Sequence, residues 1–361
     1  MAKLLIGGCG GPASENVILS WKKSCENDVI VGIGADPYDM VLSQADIKYQ
    51  VPVANDPKYK ERLLWILDKE KPDMAHFQVD GEILVISRIR EEFEKRGIKL
   101  FIADKETIET CVNKGKTAII WKNSDIKVPD SMPINTQEDL KTAFAHLGNE
   151  TGTIWLRSTE PAGGGRGAVP TNNFDFAKLW IDRFNGWGTF QAAELLTEKT
   201  VTWMSIWYKG ELVVAQTRKR KSWTMGNRTL SGVTGVTHVG ETYSSDEVTK
   251  ISQNAIFAVT KQPHGIFAVD LTYDKDGIPN PTEINISRFF TTVRFFTEAG
   301  LNMPAIYRDL ALYEKYPVLE RKINPLPDHL LWIRGMDRVP VLTTSGEIEK
   351  TINLIEGRPH E

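Results

Sequence analysis

The stretch from Gly265 to Arg294 constrains the fold of this chain more than any other. It contains two runs in which apolar and polar residues alternate, separated by the turn-forming segment Asp-Lys-Asp-Gly at positions 274–277. An Asp-Gly pair between two alternating runs is a strong signal for a β-hairpin. We therefore predict two antiparallel strands that are joined by a tight turn at this pair.

The position of the turn determines which residues of the two strands face each other. With the turn centred on the Asp-Gly pair, Asp270 lies opposite Glu283, and their Cβ atoms are about 5 Å apart. Asn285 falls on the same face, because side chains alternate between the two faces of a strand. Pro279 and Pro281 interrupt the returning strand, and a bulge is the usual consequence of such prolines.

The two faces of this hairpin have different chemistry. Two facing carboxylates repel each other unless a cation lies between them or one of them takes up a proton. A few oxygen ligands that leave room for phosphate oxygens suit Mg²⁺, with Mn²⁺ as a possible substitute, better than zinc or an all-protein calcium cage. We therefore expect Asp270, Glu283 and Asn285 to be metal ligands; the alternative is a solvated strand face with ordinary charges. The other face is apolar and carries Phe267, Val269, Leu271, Ile284 and Ile286.

Asp270 followed by Glu283-Ile284-Asn285 resembles the metal-binding end of the ATP-grasp superfamily, in particular of proteins similar to the large subunit of carbamoyl phosphate synthetase. The resemblance implies that an acidic residue on one strand and a Glu-x-Asn on the next hold Mg²⁺ between the phosphates of ATP. The family often continues as Glu-x-Asn-Pro-Arg, whereas here the basic residue, Arg288, comes one position later.

The overall composition is that of an ordinary globular protein. The chain has 361 residues, 41% hydrophobic and 25% charged, which is enough for two or three domains. A net charge of -3 provides no general attraction to nucleic acid or to a membrane. No apolar run approaches the length of a signal peptide core or a membrane span, so we expect a cytoplasmic protein. Cys9, Cys25 and Cys111 lack metal-ligand spacing, which predicts reduced thiols.

The first hundred residues predict alternating strands and helices around a parallel sheet. Strands are expected at 3–6, 29–33, 74–78 and 100–102, and helices at 16–23, 59–69 and 82–96. Gly8, Gly10 and Ala13, with Asp36 after the second strand, fit a dinucleotide fingerprint and raise the alternative of NAD binding. The resemblance instead implies a Rossmann-like domain without a dinucleotide. Gln78, Asp80 and Glu82 follow a strand end and are secondary substrate candidates.

Basic and glycine-rich segments in the centre of the chain predict a site for the triphosphate. Lys114 begins a predicted helix and matches an ATP-contacting position of the family, although Lys116 is close enough to take its place. Arg157 ends a strand just before a glycine-rich segment, and glycines allow backbone N–H groups to converge on an anion. The resemblance implies a flap that covers the phosphates; its candidate residues are Gly163, Gly164, Gly165 and Arg166.

The strand from Phe190 to Leu196 resembles the segment that meets the adenine in the family, with Glu194 and Leu196 as candidate contacts. Many relatives have a ribose-binding Glu shortly after it. Here that position falls on Thr200 or Val201, and Glu198 is an alternative.

Three arginines are catalytic candidates under this resemblance. Arg288 is expected to steady an acyl phosphate, and Arg294 either faces the substrate or only pairs with Glu298. The basic run 218–221, of a kind that usually forms a solvated strand edge, leads into a loop rich in Gly, Ser and Thr. Arg228 lies in this loop, which is suited to an anionic substrate.

Together these features predict an α/β and α+β chain: a Rossmann-like domain at 1–110, an ATP-grasp small subdomain at 111–190, a metal and ATP subdomain at 191–315, and a C-terminal extension at 316–361. The resemblance implies an ATP- and Mg²⁺-dependent carboxylate-amine ligase that works through an acyl phosphate and releases ADP and phosphate. Small-molecule carboxylate and amine substrates and a homodimer are expected. A small-molecule kinase and a non-catalytic nucleotide-binding module are the alternatives.

Overall fold

A computed structural model describes residues 1–159, 167–336 and 338–355. Within them the strands form three sheets, one of them parallel and two antiparallel. The predicted glycine-rich flap, Gly163, Gly164, Gly165 and Arg166, lies outside the described residues.

The N-terminal domain has a parallel four-stranded sheet in the order β3-β2-β1-β4. Its strands are β1 (Lys3–Ile6), β2 (Val29–Gly34), β3 (Ile47–Gln50) and β4 (Met74–His76). Its helices are α1 (Pro12–Ser24), α2 (Pro37–Leu42), α3 (Lys58–Glu70), α4 (Asp80–Arg88) and α5 (Arg90–Glu94). The predicted Rossmann-like arrangement is therefore confirmed, with α4 and α5 in place of one continuous helix.

The strand predicted at 100–102 is wrong, because side chains take up the backbone carbonyls of this segment. Tyr307 Oη donates to the Phe101 carbonyl at 2.5 Å, and Arg90 Nη2 donates to the Ala103 carbonyl at 2.5 Å. Only Lys99 forms an isolated parallel bridge, with Met74. The apolar run of this segment therefore reflects burial of Phe101, Ile102 and Ala103 instead of a position in a sheet.

The glycine turn after β1 is filled by the chain itself. Gly10 has a φ of 90°, and a Cβ atom there would lie 2.2 Å from the carbonyl oxygen of Asp39. The Glu15 carboxylate accepts a hydrogen bond from the Gly10 N–H at 3.0 Å, at the helix start where a dinucleotide would place its phosphates. Asp36 caps α2 by accepting from the N–H of Tyr38. These contacts favour packing over NAD binding as the reason for the fingerprint.

A small antiparallel sheet follows, in the order β5-β8-β6-β7. Helices α6 (Lys105–Val112) and α7 (Lys114–Asn123) lead into it. Its strands are β5 (Ser131–Ile134), β6 (Ile154–Ser158), β7 (Val169–Thr171) and β8 (Phe190–Glu194), and its helices are α8 (Gln137–Leu147) and α9 (Phe174–Arg183). The sheet and these two helices bury a core of their own, which includes Leu156, Ile181 and Phe190.

The large sheet has seven strands in the order β13-β12-β9-β10-β11-β14-β15. They are β9 (Thr200–Tyr208), β10 (Glu211–Trp223), β11 (Thr237–Thr242), β12 (Gly265–Tyr273), β13 (Pro279–Ile286), β14 (Leu330–Gly335) and β15 (Arg338–Thr344). The accompanying helices are α10 (Asp246–Val259), α11 (Val293–Glu298), α12 (Met303–Tyr313) and α13 (Ser345–Ile355). The two strands of the C-terminal extension thus continue this sheet.

The N-terminal domain and the large sheet share a continuous core. Trp21 is fully buried and donates from Nε1 to the Pro304 carbonyl at 2.9 Å, and Arg308 pairs with Asp28 at 2.7 Å. Residues of both domains pack in one apolar cluster. This packing brings the carboxyl end of β4 next to the segment that follows β13.

Candidate active site

The hairpin of β12 and β13 has the predicted register. Asp270 is paired with Glu283, and Ala268 with Asn285, so the two carboxylates face each other directly. The pairing shifts by one residue immediately after Asp270, where Leu271 faces Pro281. The shift is the bulge that the prolines of this strand predicted.

The hairpin buries one face and leaves the other partly open, as predicted. The apolar residues Phe267, Val269, Leu271, Ile284 and Ile286 belong to one core cluster. Asp270, Glu283 and Asn285 are half-buried, and Asn285 Nδ2 donates to Asp270 Oδ2 at 3.1 Å. The Asn285 amide and the Asp270 carboxylate are therefore hydrogen-bonded to each other, and Glu283 lies opposite Asp270 on the same strand pair.

Lys114 reaches this group from the start of α7. Asn113 caps this helix, and its side chain accepts from the Lys116 N–H, which leaves Lys114 in the first turn. Lys114 Nζ lies 2.5 Å from Glu283 Oε2, whereas the Lys116 side chain is exposed. Of the two candidate lysines, Lys114 is the one that contacts the hairpin.

Burial raises the pKa of Glu283, but the charge and hydrogen bond of Lys114, followed by the charges of Arg288 and Arg157, outweigh it and lower that pKa to about 2. Glu283 is therefore a carboxylate at any physiological pH, surrounded by cations from three separate segments. A carboxylate held in this way is ready to ligate a hard cation.

Arg157 lies near the end of β6, where its charge acts on Glu283. Burial lowers the pKa of its guanidinium, and the charge of Glu283 partly restores it. With the Gln191 amide oxygen turned toward Arg157, it accepts from Nη2 at 2.8 Å and from Nε at 2.9 Å. The Gln191 amide therefore fixes the direction of the Arg157 guanidinium without neutralising its charge.

Arg288 joins the hairpin to the N-terminal domain. Its Nε donates to Asp80 Oδ1 at 2.6 Å and its Nη2 to Asp80 Oδ2 at 3.3 Å, and Nη2 also donates to Asn285 Oδ1. Asp80 opens α4, two residues after Gln78, whose Oε1 accepts from the Phe289 N–H at 3.0 Å. The secondary substrate candidates Gln78 and Asp80 therefore lie next to the predicted metal ligands.

Two arginines at this site were not predicted as site residues. Arg218 and Arg220 lie in β10; Arg218 is buried and Arg220 is half-buried, so the expectation of a solvated basic edge is wrong for both of them. Arg218 Nη2 donates to Thr202 Oγ1 at 2.9 Å, and Arg220 Nη2 lies 4.0 Å from Asp270 Oδ1. The two-residue spacing of these arginines was the available signal, because it places both on one face of a strand.

The predicted nucleotide contacts lie around β8. Glu194 ends this strand, and its N–H donates to the Asp130 carbonyl at 3.0 Å. Burial raises the pKa of Glu194, and the charge of Asp130 raises it further. Leu196 is half-buried two residues later, and Glu198 is exposed. At the position of the family's ribose-binding Glu, the Thr200 hydroxyl accepts from Arg220 Nη1 at 3.0 Å.

Two of the three predicted catalytic arginines lie apart from the hairpin group. Arg294 pairs with Glu298 at 3.0 Å within α11, which was the alternative prediction for it. Arg228 is exposed in a short 3-10 turn, Gly226–Arg228. Among residues 1–159, 167–336 and 338–355, no hydrogen bond or ion pair connects either arginine with Asp270, Glu283 or Asn285.

The donor set fits a hard divalent cation that a ligand helps to hold. Asp270 and Glu283 offer carboxylate oxygens, and Asn285 offers an amide oxygen. No group of three or more His, Cys, Asp or Glu suited to a metal occurs in the described part of the chain. Such a set leaves coordination positions for phosphate oxygens, which is the usual environment of Mg²⁺ at nucleotide sites.

Comparison with known proteins places this geometry in a structural context. A family model described as the PylC-like N-terminal domain matches residues 4–101. No curated protein sequence matches the chain.

The described helices contain no segment long and apolar enough to cross a membrane.

Several solved structures share the fold. A carboxyaminoimidazole ribonucleotide synthase from Aspergillus clavatus, complexed with ATP, matches with a TM-score of 0.68 and 16% identity over 92% of this chain and 81% of that chain. An N5-carboxyaminoimidazole synthetase from Staphylococcus aureus, complexed with ADP, matches with a TM-score of 0.66 and 14% identity over 99% and 98%. An L-amino acid ligase from Bacillus licheniformis matches with a TM-score of 0.64 and 13% identity over 92% and 79%. These similarities confirm the predicted ATP-grasp fold with a Rossmann-like domain in front of it.

Proposed function

We propose that this protein is an ATP-dependent ligase that joins a small-molecule carboxylate to an amine. The observation that carries the proposal is the convergence of Lys114 and Arg157, from two separate elements, on Glu283, which faces Asp270 across a hairpin. Cations beside a paired carboxylate site suit a triphosphate and its metal ion. Solved structures with the same fold include synthases in complex with ATP and with ADP, which supports the choice of nucleotide, and an L-amino acid ligase, which supports the choice of reaction.

In the proposed reaction Lys114 and Arg157 bind the phosphates of ATP and keep them in register with the hairpin. Arg157 suits this role because its guanidinium forms paired hydrogen bonds with phosphate oxygens. Asp270, Glu283 and the Asn285 amide oxygen would hold Mg²⁺, or Mn²⁺ in its place. When bound, the ion neutralises charge that develops on the phosphates during phosphoryl transfer.

The first step attaches the phosphoryl group to the carboxylate. A carboxylate oxygen attacks the γ-phosphorus, and the bond from this phosphorus to the bridging oxygen breaks, so that the oxygen leaves on ADP with the electron pair. The amine nitrogen then attacks the acyl carbon and gives up a proton to solvent, while the bond from this carbon to the phosphate oxygen breaks and phosphate leaves with the electron pair. Arg288, which already contacts Asn285 and Asp80, would stabilise the negative charge of the acyl phosphate.

We also propose that this chain forms a homodimer. A biotin carboxylase domain of the same fold is described as a dimer, which supports this proposal.

The experiment that tests this proposal is nucleotide product analysis with ATP and Mg²⁺. Pooled small carboxylates, pooled amines, or both pools together are added to the purified full-length chain. ADP and free phosphate that form only with both pools present would support the ligase. ADP with the phosphate retained on one substrate would identify a kinase instead, and binding of ATP without any turnover would favour the non-catalytic module.

A further inference from the structure

The first four strands from one edge of the large sheet, β13, β12, β9 and β10, align a single row of polar residues. Glu283 pairs with Asp270, Asp270 pairs with Thr202, and Thr202 pairs with Arg218. Paired residues on adjacent strands point to the same face, and strands are about 4.8 Å apart. The row therefore runs for about 14 Å from an acidic end to a basic end across three strand spacings.

The hydrogen bonds along this row have a fixed direction. Arg218 can only donate, so Thr202 Oγ1 accepts from Arg218 Nη2 at 2.9 Å. The Thr202 hydroxyl proton is then directed at Asp270 Oδ1, 2.5 Å away. Arg218 thus holds Asp270 through Thr202 instead of neutralising it by direct contact.

The basic end of the row has more positive charge than nearby carboxylates can balance. Arg218 is fully buried over the ring of Phe290, and within the described residues it forms no ion pair and its Nε has no hydrogen-bond partner. Burial lowers the pKa of Arg218, and the charge of neighbouring Arg220 lowers it further. Arg220 has no carboxylate closer than Asp270 at 4.0 Å in the same part of the structure. Buried charges without a partner are costly, so an anion is the expected complement.

Gly240 provides the space for this end of the row. It faces Arg220 across β10 and β11, and a Cβ atom there would lie 3.1 Å from Arg218 Cδ. Arg220 is held by Thr200 and Thr237 through Nη1 and Nε, which leaves the hydrogens of Nη2 free of described hydrogen bonds. Its Nη2 is therefore the group that can reach a ligand beside Asp270.

We propose that Arg220, supported by the buried charge of Arg218, binds the carboxylate of the substrate that receives the phosphoryl group. The assignment rests on the proposed ligase function, because Lys114 and the ATP phosphates are placed at the opposite, Glu283 end of the row. A carboxylate at Arg220 lies next to Asp270, on the side facing away from Lys114. In this arrangement the ATP phosphates lie at the Glu283 end of the row, the predicted metal ligands lie next to them, and the substrate carboxylate lies beyond Asp270.

Thermal unfolding of the full-length chain tests this site without turnover. The chain is saturated with Mg²⁺ and a non-hydrolysable ATP analogue, and chloride is replaced stepwise by acetate, glutarate or inorganic phosphate at constant ionic strength. Ligands that bind the folded state raise the Tm in a saturable way. We expect a saturable rise with the carboxylates, and an apparent Kd about tenfold to hundredfold weaker in Arg220→Met.

A matched control is Lys221→Met, because Lys221 lies on the opposite face of β10, where it pairs with Glu241 at 3.2 Å. Its carboxylate response should equal that of the wild type. If Arg220→Met does not fold, Arg220→Lys keeps the charge without the fork of donors and should still weaken binding. No carboxylate response in the wild type, an unchanged response in a folded Arg220 variant, or a response to phosphate alone would overturn the assignment. A normal response in a chain that never consumes ATP would count against the ligase function only.

Discussion

Lys114 Nζ lies 2.5 Å from Glu283 Oε2, although the two residues are far apart in the sequence and belong to a helix and a hairpin. Glu283 in turn faces Asp270. The contact means that one lysine pairs with a carboxylate that is a predicted metal ligand, and its charge helps to lower the pKa of that carboxylate.

The first prediction concerns Glu283. Glu283→Gln keeps the size of the side chain but removes the charge that a metal ion needs, so we expect loss of ATP turnover with an unchanged fold. The rate of ADP formation measures ATP turnover, and far-ultraviolet circular dichroism shows whether the fold is unchanged. The control is Glu211→Gln, an exposed position in β10. An active Glu283→Gln variant with unchanged Mg²⁺ dependence would remove Glu283 from the metal site.

A second prediction concerns the phosphate contact of Arg157. Arg157→Ala should raise the apparent KM for ATP about tenfold to hundredfold, because a charged hydrogen bond contributes about 1.5 to 3 kcal/mol. Steady-state kinetics with ATP as the varied substrate measure this change. Arg183→Ala, at an exposed position of α9 in the same subdomain, should leave the KM unchanged. Equal ATP kinetics in the two variants would exclude Arg157 from phosphate binding.

Glu82 should make the free energy of unfolding depend on pH near neutrality. Burial raises the pKa of this carboxyl to about 7 against a hydrogen bond from Tyr59. The folded protein therefore keeps a proton that the unfolded chain has lost, and stability falls as pH rises from about 4.5 to about 7. This difference between the pKa of Glu82 in the folded and in the unfolded protein corresponds to about 3 kcal/mol of the free energy of unfolding.

Glu82→Gln should remove most of this dependence, because an amide does not titrate. Urea unfolding at pH 5 and pH 8 measures the difference for the wild type and the variant. Glu61→Gln, at an exposed position of α3, is the control and should retain the wild-type slope. A wild-type protein with equal stability at both pH values would contradict the prediction.

Asp274, in the turn of the hairpin, should have the opposite effect and make the free energy of unfolding increase as pH rises in the acidic range. Burial raises its pKa, but the hydrogen bond from Lys127, the Ile278 N–H and the Asn280 amide together lower that pKa to about 2. The folded state loses its proton more readily than the unfolded chain, so this contribution is present above about pH 4 and is lost as pH falls through about 2. Because Lys127 is half-exposed, solvent screens its attraction to Asp274, and we expect this contribution to the free energy of unfolding to be about 1 to 2 kcal/mol.

The measurement is acid unfolding followed by tryptophan fluorescence. Below pH 2, the Asp274→Asn variant and the wild type should have nearly the same free energy of unfolding. At pH 6 the variant should be less stable than the wild type. Asp276→Asn, an exposed neighbour in the same turn, should behave like the wild type. Loss of stability in the Asp276 variant alone would mean that the turn, and not the Asp274 carboxylate, provides the effect.

The sequence by itself determined the β12–β13 hairpin and its register. The turn, the alternation and the two facing carboxylates all lie within thirty residues, and antiparallel pairing across a tight turn follows from local geometry. The same holds for Lys114 at the start of α7 and for Arg157 at the end of β6, since helix starts and strand ends have local signals.

Only the tertiary structure decided which charges meet. The pairing of Arg288 with Asp80 depends on how the N-terminal domain packs on the large sheet. The burial of Arg218 depends on the neighbours that β10 acquires in that seven-stranded sheet. Pairing between distant strands leaves no mark on the local pattern, because the same basic run fits an exposed edge or a buried centre equally well. The register of the hairpin is therefore determined by local sequence, whereas the basic end of the polar row depends on how the strands assemble into the sheet.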